Sequence, residues 1–396
     1  MTKFINIDKI SRLLEQLAES AEVWAPRELA GTGTAIFERW QNGEAVDLEH
    51  ITSISAKDVV LPRTEKLFDF NYAFGGLGSA AGGVSSGEPG SAPPSESIEL
   101  EAAITVPETV LFGARACDAR ALTVLDALFD NPEGEAYNDP NYQARRAALT
   151  VVTLACTTSD AACFCSSFGD GPAEKAGSDL IMYPVEGGYL AETATAKGES
   201  ILAAAAPLFE ESGAEPPQLA ETATVDGLAG LQQQLPAIFK DLDFWNEMTA
   251  TCISCGFCSH GCPTCYCFNI HDEMSGDRRG ERRRSWDACM FYVYTQEASG
   301  HNPRPTQAHR YRNRINHKFS YYPINQGETL CTGCGRCIRG CPTNMDIREV
   351  LRAAKAKAKA KAKAEAKAEA EAKAEAASEL MTDGGSGGQP AGNDGD

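Results

Sequence analysis

The chain has 396 residues, 36 Lys and Arg against 55 Asp and Glu, and 15 cysteines, a length that suggests two to three domains. Its net charge of −19 excludes a general nucleic-acid binder, which would repel phosphate backbones. The cysteines fall in tight C-x-x-C groups, which excludes the spread pattern of a small secreted disulfide scaffold.

The charge is uneven. Residues 1–250 carry 15 basic and 38 acidic side chains, residues 251–350 carry 13 and 9, and residues 351–396 carry 8 and 8. Of the 15 cysteines, 11 lie between Cys252 and Cys341. The opening MTKFINIDKISRLLEQLAES mixes charged and apolar residues, so it reads as neither a signal peptide nor an anchor. The longest apolar-rich run, Ala147 to Cys156, is far short of the roughly 20 residues that span a bilayer. A reducing, cytoplasmic setting is expected, and there clustered cysteines mean metal or redox chemistry.

In chain order, Ile7, Ile10, Leu14 and Leu17 have helical spacing and predict an amphipathic first helix. Ala35–Trp40 and Val59–Leu61 read as short strands. Residues 75–97 are rich in Gly, Ser, Pro and Ala and read as a mobile loop. Gly76-Leu77-Gly78 within it lacks the strand–turn–helix context of a nucleotide loop. Thr109–Gly113 reads as a buried strand and Asp118–Phe129 as a helix with Asp118 as its N-cap. Ala148–Ala155 is a second buried strand, and Leu180–Tyr183 with Gly188–Ala191 forms a hairpin. Strands alternating with helices make residues 1–242 an α/β domain. After Val350 the sequence alternates Ala with Lys or Glu. It favours helix but puts charge on every face and leaves no apolar stripe. Residues 351–396 therefore read as a tail that is disordered or a solvated helix, ending in a disordered Gly/Ser/Asp stretch.

The strongest signal is a pair of runs, Cys252-x2-Cys255-x2-Cys258-x3-Cys262-Pro263 and Cys331-x2-Cys334-x2-Cys337-x3-Cys341-Pro342. Both have the C-x2-C-x2-C-x3-C-P spacing of two-cluster bacterial ferredoxins, whose fourth cysteine ligates the other cluster. Three thiolates on a tight loop reach three corners of one cubane, and the fourth leaves along a short helix. Cys252, Cys255, Cys258 and Cys341 are thus expected to hold one [4Fe–4S] cluster, and Cys331, Cys334, Cys337 and Cys262 the other. Structural zinc needs only four thiolates per site. Two complete motifs, each with its trailing Cys-Pro, weigh against it. The expected layout is α+β and multidomain: the α/β domain, an expanded two-cluster, ferredoxin-like, α-helical domain over 243–350, and the tail.

The ferredoxin-like region is interrupted by an insertion, residues 263–330. Over 277–318 it carries ten Lys or Arg against four Asp or Glu. These charges can balance thiolate-bound clusters and pair with the acidic domain, or form a docking face; no base-reading module accompanies them. Cys265, Cys267 and Cys289 are left without an assignment, as packing residues or as ligands of a further site. In the first domain, Cys117 and Cys156 follow two strands whose C-terminal ends share an edge if the strands are parallel, which is where such folds place ligands. Cys163 and Cys165 lie just beyond. Four thiols converging there predict a third [4Fe–4S] cluster, with iron bound through the same cysteines.

The strings FGARACDARAL, CFCSSFG, CISCGFCSHGCPTCYCF, WDACMF, HNPRP, RYRNRINHKF and CTGCGRCIRGCP together resemble one family. It is that of the iron–sulfur β subunits of cytoplasmic sulfhydrogenases and the corresponding iron–sulfur subunits of anaerobic sulfite reductases. The likeness covers about residues 1–350, and Ala116 stands where the family often has Pro. The resemblance implies an electron-transport subunit of anaerobic metabolism. It would relay single electrons between a flavoprotein subunit, which binds FAD and NAD(P)H, and a catalytic oxidoreductase subunit of hydrogenase, sulfite reductase or heterodisulfide-reductase type. No catalytic residue is evident in the chain, which has no Ser/His/Asp arrangement and no P-loop. The alternative is a subunit that itself reduces a sulfur compound at a cysteine-bound cluster. Neither nucleic acid nor a membrane span is expected.

Overall fold

The structure is a computed structural model that describes residues 2–74, 96–102, 104–131, 138–226 and 228–383. Most of the segment read as a mobile loop, including Gly76-Leu77-Gly78, and the Gly/Ser/Asp end lie outside the described residues. Among the described residues twelve strands form two sheets. The strands are β1 (Thr2–Asn6), β2 (Glu22–Leu29), β3 (Thr34–Arg39), β4 (Thr64–Phe74), β5 (Glu96–Glu101), β6 (Thr109–Ala114), β7 (Leu149–Leu154), β8 (Leu180–Val185), β9 (Gly188–Thr193), β10 (Glu210–Ser212), β11 (Phe268–Met274) and β12 (Arg279–Trp286).

The larger sheet has the order β10-β1-β9-β8-β7-β6-β2-β3. Its centre, β2, β6, β7 and β8, is parallel, and its edges are antiparallel. The expected hairpin is β8–β9, and the two buried strands β6 and β7 are parallel neighbours. Strand side chains alternate between faces. Val110 and Phe112 join one core with α1 (Ile10–Ala18) and α4 (Ala196–Ala204), whereas Leu111 joins the opposite core with α2 (Ala116–Phe129) and α3 (Pro140–Ala148). Both faces are covered, as a parallel centre requires.

Three expectations are corrected. Val59–Leu61 is not a strand, because residues Ala56–Val59 form a 3-10 turn that buries Lys57. Asp118 is not the N-cap of α2. The helix starts at Ala116 and is capped at Arg115, and Asp118 sits at the third helical position, reaching back to the Arg115 N–H at 3.4 Å. The segment read as a loop to residue 97 ends sooner, since β5 begins at Glu96.

The second sheet runs β11-β12-β4-β5. Strands β11 and β12 come from the insertion and β4 and β5 from the first 242 residues, so the ferredoxin-like region is not purely α-helical. The helices after residue 230 are short: α5 (Leu231–Gln234), α6 (Leu242–Met248), α7 (Phe257–His260), α8 (Gln307–Asn316), α9 (Tyr322–Gln326) and α10 (Arg336–Arg339). The exception is α11 (Ile347–Asp383), which runs through the alternating tail. A further core gathers Phe164, Trp245, Tyr311, Ile315, Phe319 and Leu351 around the cysteine motifs. No helix among the described residues is long and apolar enough to cross a membrane.

Candidate functional site

The two ferredoxin-type motifs fold alike. In each, a loop of cysteines turns through a glycine, Gly256 at φ +76° or Gly335 at φ +75°, into the one-turn helix α7 or α10. A side chain is strained in that left-handed conformation, and glycine is not. The loops and helices enclose two small cavities. Cys252, Cys255, Cys258 and Cys341 line the first, and Cys262, Cys331, Cys334 and Cys337 line the second. Cys337 borders both. Cys341 of the second motif thus stands beside the first motif's loop, and Cys262 of the first beside the second's. Backbone N–H groups point at sulfur, Ser254 donating to Cys252 Sγ at 3.4 Å and Met345 to Cys341 Sγ at 3.3 Å. Burial pushes the thiols of Cys258 and Cys331 up to about 11, so metal binding has to displace a proton from each.

The cysteines of the first domain also converge. Cys117 lies on the first turn of α2 and Cys156 just past β7, at the C-terminal edge of the parallel strands. Cys156 lies within electrostatic reach of Cys163, Cys165 of both, and Cys117 of Cys156 and Cys334. The loop carrying Cys163 and Cys165 is pressed onto the second motif. Phe164 N–H donates to Gly333 O at 2.9 Å, and a Cβ at Gly333 would stand 2.5 Å from Phe164 O. This third group of thiols is therefore contiguous with the second cavity.

Cys265, Cys267 and Cys289 lie beside the motifs. Cys265 lies within electrostatic reach of Cys262, and Cys267 of Cys289 and Cys265. Arg314 Nη1 donates to Cys265 Sγ at 3.2 Å, and Ser259 Oγ lies 3.5 Å from Cys289 Sγ. Among the described residues no three His, Cys, Asp or Glu side chains are close enough to hold a single metal ion. Structural zinc would require that closeness, with each sulfur about 2.3 Å from one centre. Each of the two cavities is lined by at least four cysteines, the number of thiolates that a cubane takes, each on a separate iron.

The electrostatics suit anionic thiolates. Lys57, Arg314 and Lys318 are buried, and no described carboxylate lies within 4.0 Å of their charged ends. Burial works against the charge of Lys318, but Cys262, Cys265 and Cys331 together outweigh it and raise its pKa. Burial likewise opposes the Arg314 charge, which Cys258, Cys265, Cys289 and Cys262 raise. Arg336 is wholly buried, held by Asp118 at 2.7 and 2.8 Å and by Thr52. Arg339 Nη1 stands 3.7 Å from Cys163 Sγ.

Of these cations, Arg314 and Lys318 belong to the basic stretch that sequence reading left between charge balance and a docking face. Arg336 and Arg339 lie inside the second motif, where their role could be guessed. Lys57 sits in the acidic domain, more than 200 residues from the carbonyls of Ser259, Cys262 and Cys265 that it contacts, and no local pattern marks it.

A family profile described as a 4Fe-4S dicluster domain matches residues 251–345, both motifs included. The chain is similar to sulfhydrogenase 2 subunit beta of Pyrococcus furiosus, with 30% identity over 251 residues, 61% of this chain and 72% of that protein. No solved structure matches it. Residues 251–345 are thus a dicluster domain within an α+β fold.

Proposed function

Because this chain belongs to the family of sulfhydrogenase iron–sulfur β subunits, we propose that it relays single electrons within a cytoplasmic multi-subunit oxidoreductase. It would stand between a flavoprotein subunit that binds FAD and NAD(P)H and a catalytic subunit of hydrogenase, sulfite reductase or heterodisulfide-reductase type. Cys252, Cys255, Cys258 and Cys341 would hold one [4Fe–4S] cluster, Cys331, Cys334, Cys337 and Cys262 a second, and Cys117, Cys156, Cys163 and Cys165 a third. Bound there, such clusters supply one-electron redox chemistry at potentials between about −700 and +450 mV.

The observation that carries the reading is the contiguity of the three sulfur sets. Cys337 borders both cavities, and Cys117 lies within the electrostatic reach of Cys334. The chain's own residues do the rest. N–H donors and buried cations stabilise negative charge on sulfur, the aromatic core of Phe164, Tyr311 and Phe319 excludes water, and the exposed Cys255 and Ile253 bring the first set to the surface. The test is Cys334→Ala in the full chain, purified without oxygen. It is expected to lose about four irons, one cubane, and to block electron flow between a reduced flavoprotein donor and an acceptor dye. Wild-type iron content with wild-type transfer would overturn the ligand assignment.

A further inference from the structure

The second sheet has two unlike faces. Side chains alternate between faces along a strand, and cross-strand partners share one. On one face Asn71 stands opposite Glu99, Asp69 opposite Glu281, and Glu281 opposite Glu273. Lys66 meets Asp69 there at 2.8 Å, and Arg283 meets Glu273 at 3.0 Å. That face is charged throughout and suits water.

The other face is apolar. Tyr72 stands opposite Ile98, Phe70 opposite Leu100 and Gly280, and Gly280 opposite Met274. Ile270 lies on the same side, four residues before Met274. A Cβ at Gly280 would meet the Phe70 ring at 2.5 Å and Met274 Sδ at 3.1 Å, so these side chains lie across the glycine and join into one surface. Phe70 is buried, but Tyr72, Ile98, Leu100, Ile270 and Met274 are 41%, 57%, 63%, 49% and 55% exposed. The apolar face of a sheet is normally buried against another layer. This one continues into a groove of about 660 Å³, lined by Phe68, Phe268 and Arg284 of the sheet and by Leu128, Phe129 and Pro140 of the first domain.

The charges on the apolar side cancel among themselves. Arg282 pairs with Asp272 at 2.7 Å, and Arg284 is held by Glu65 and Asp139. A complementary surface therefore has to be uncharged and apolar, which is the make-up of a permanent subunit contact. Size selects among apolar occupants. Four strands about 4.8 Å apart and about seven residues long cover about 400 Å², whereas a stable dimer needs about 800 Å² from each partner. Two copies packed face to face on this sheet fall short, but an element laid over both sheet and groove gains area from each. Residues 75–95, which join β4 to β5, carry only Leu77 and Val84 as large aliphatic or aromatic side chains, too few to cover the face.

We infer that this face docks the chain onto another subunit of its complex, receiving an uncharged element rich in aliphatic or aromatic side chains. The inference rests on the reading of the chain as one subunit of a larger oxidoreductase.

The test co-expresses the full chain, without oxygen, with the oxidoreductase subunits encoded beside it. Leu100→Asp and Ile270→Asp put an unpaired carboxylate into the contact and are expected to weaken assembly by about tenfold or more, with iron content unchanged. Glu99→Gln, on the charged face, is expected to assemble as the wild type does. Hydroxyl-radical labelling is a second readout that needs no variant: Tyr72 and Met274 are expected to be labelled in the chain expressed alone and protected in the complex. If a variant loses iron, the labelling decides. Assembly unaffected by either variant, labelling that persists in the complex, or protection already present in the chain alone would each overturn the inference. So would a dimer of this chain, or binding to vesicles of phosphatidylcholine and phosphatidylglycerol, that the same variants abolish. Those outcomes leave the proposed relay standing, whereas a wild type that assembles with no other subunit sinks that reading and this inference together.

Discussion

Asp118 and Arg336 form an ion pair with side chains 2% and 0% exposed. The guanidinium also donates to Thr52 O and Oγ1, both at 2.8 Å, so every visible partner is from the first domain while Arg336 itself follows Cys334 by two residues. Removing one member of such a pair strands a buried charge and costs about 3–5 kcal/mol. Asp118→Ala is therefore expected to lower the denaturation midpoint sharply, with Asp118→Asn milder because an amide oxygen still accepts. A melt of Asp118→Ala within about 0.5 kcal/mol of wild type, the range of an ordinary surface change, would contradict the pairing. The contrast is Lys367–Glu371, with side chains 77% and 69% exposed, where such a pair contributes about 0–1 kcal/mol. Sequence reading saw Asp118 as a local helix cap, because a local rule sees only local donors. Its main partner lies 218 residues away. The cysteines were legible for the opposite reason: their spacing is itself the constraint that a cubane imposes.

At the scale of elements, α11 shows what alternation hides. Every second residue of the tail is alanine, so neither an apolar run nor a helical moment stands out. Yet Val350, Ala354 and Ala358 recur at steps of four, and with Leu351 they are buried. They pack on α5 and the 3-10 turn of residues 235–238. Lys357 adds a 3.1 Å pair with Asp241, and Lys361 donates to Ala237 O at 2.7 Å. The expectation that no stripe could dock is thus corrected for the first three turns, where alanines are small enough to let the helix approach closely. From residue 360 to 375 the helix is exposed, as expected of a solvated one. Two variants separate the halves. Leu351→Ala should cost about 2–5 kcal/mol, the usual range for a buried leucine. Deleting residues 364–396 should leave the unfolding transition and the iron content as they are. A truncation that destabilises as much as Leu351→Ala would show that the outer turns are docked on something in the chain.

For the whole molecule, the contrast between an acidic first part and a basic ferredoxin-like part gains a structural meaning. The basic insertion does not stand apart: β12 pairs with β4 over Arg279–Ser285 and Thr64–Asn71, and Arg284 is held by Glu65 and Asp139. The partners of Arg336 and the ammonium facing Cys265 also come from the first domain. The α/β pattern of that domain was legible, since helices and strands there are continuous in sequence. The second sheet was not, because its strands come from both sides of residue 242 and the pair that joins them, β4 with β12, has partners about 200 residues apart. It follows that residues 243–396 expressed alone lack more than a neighbour. They lose the strand that covers β12, exposing a polar edge, and leave Arg336 and Arg284 with no carboxylate in a dry interior. That fragment is expected to hold far fewer than the about eight irons of two cubanes and to show little ordered structure by circular dichroism. Co-expression with residues 1–242 should restore iron binding, because the charge complementarity that joins the halves does not depend on their being covalently linked. A fragment that binds eight irons and folds alone would mean that the interface with the first domain is an accessory to the sulfur sites rather than part of what builds them.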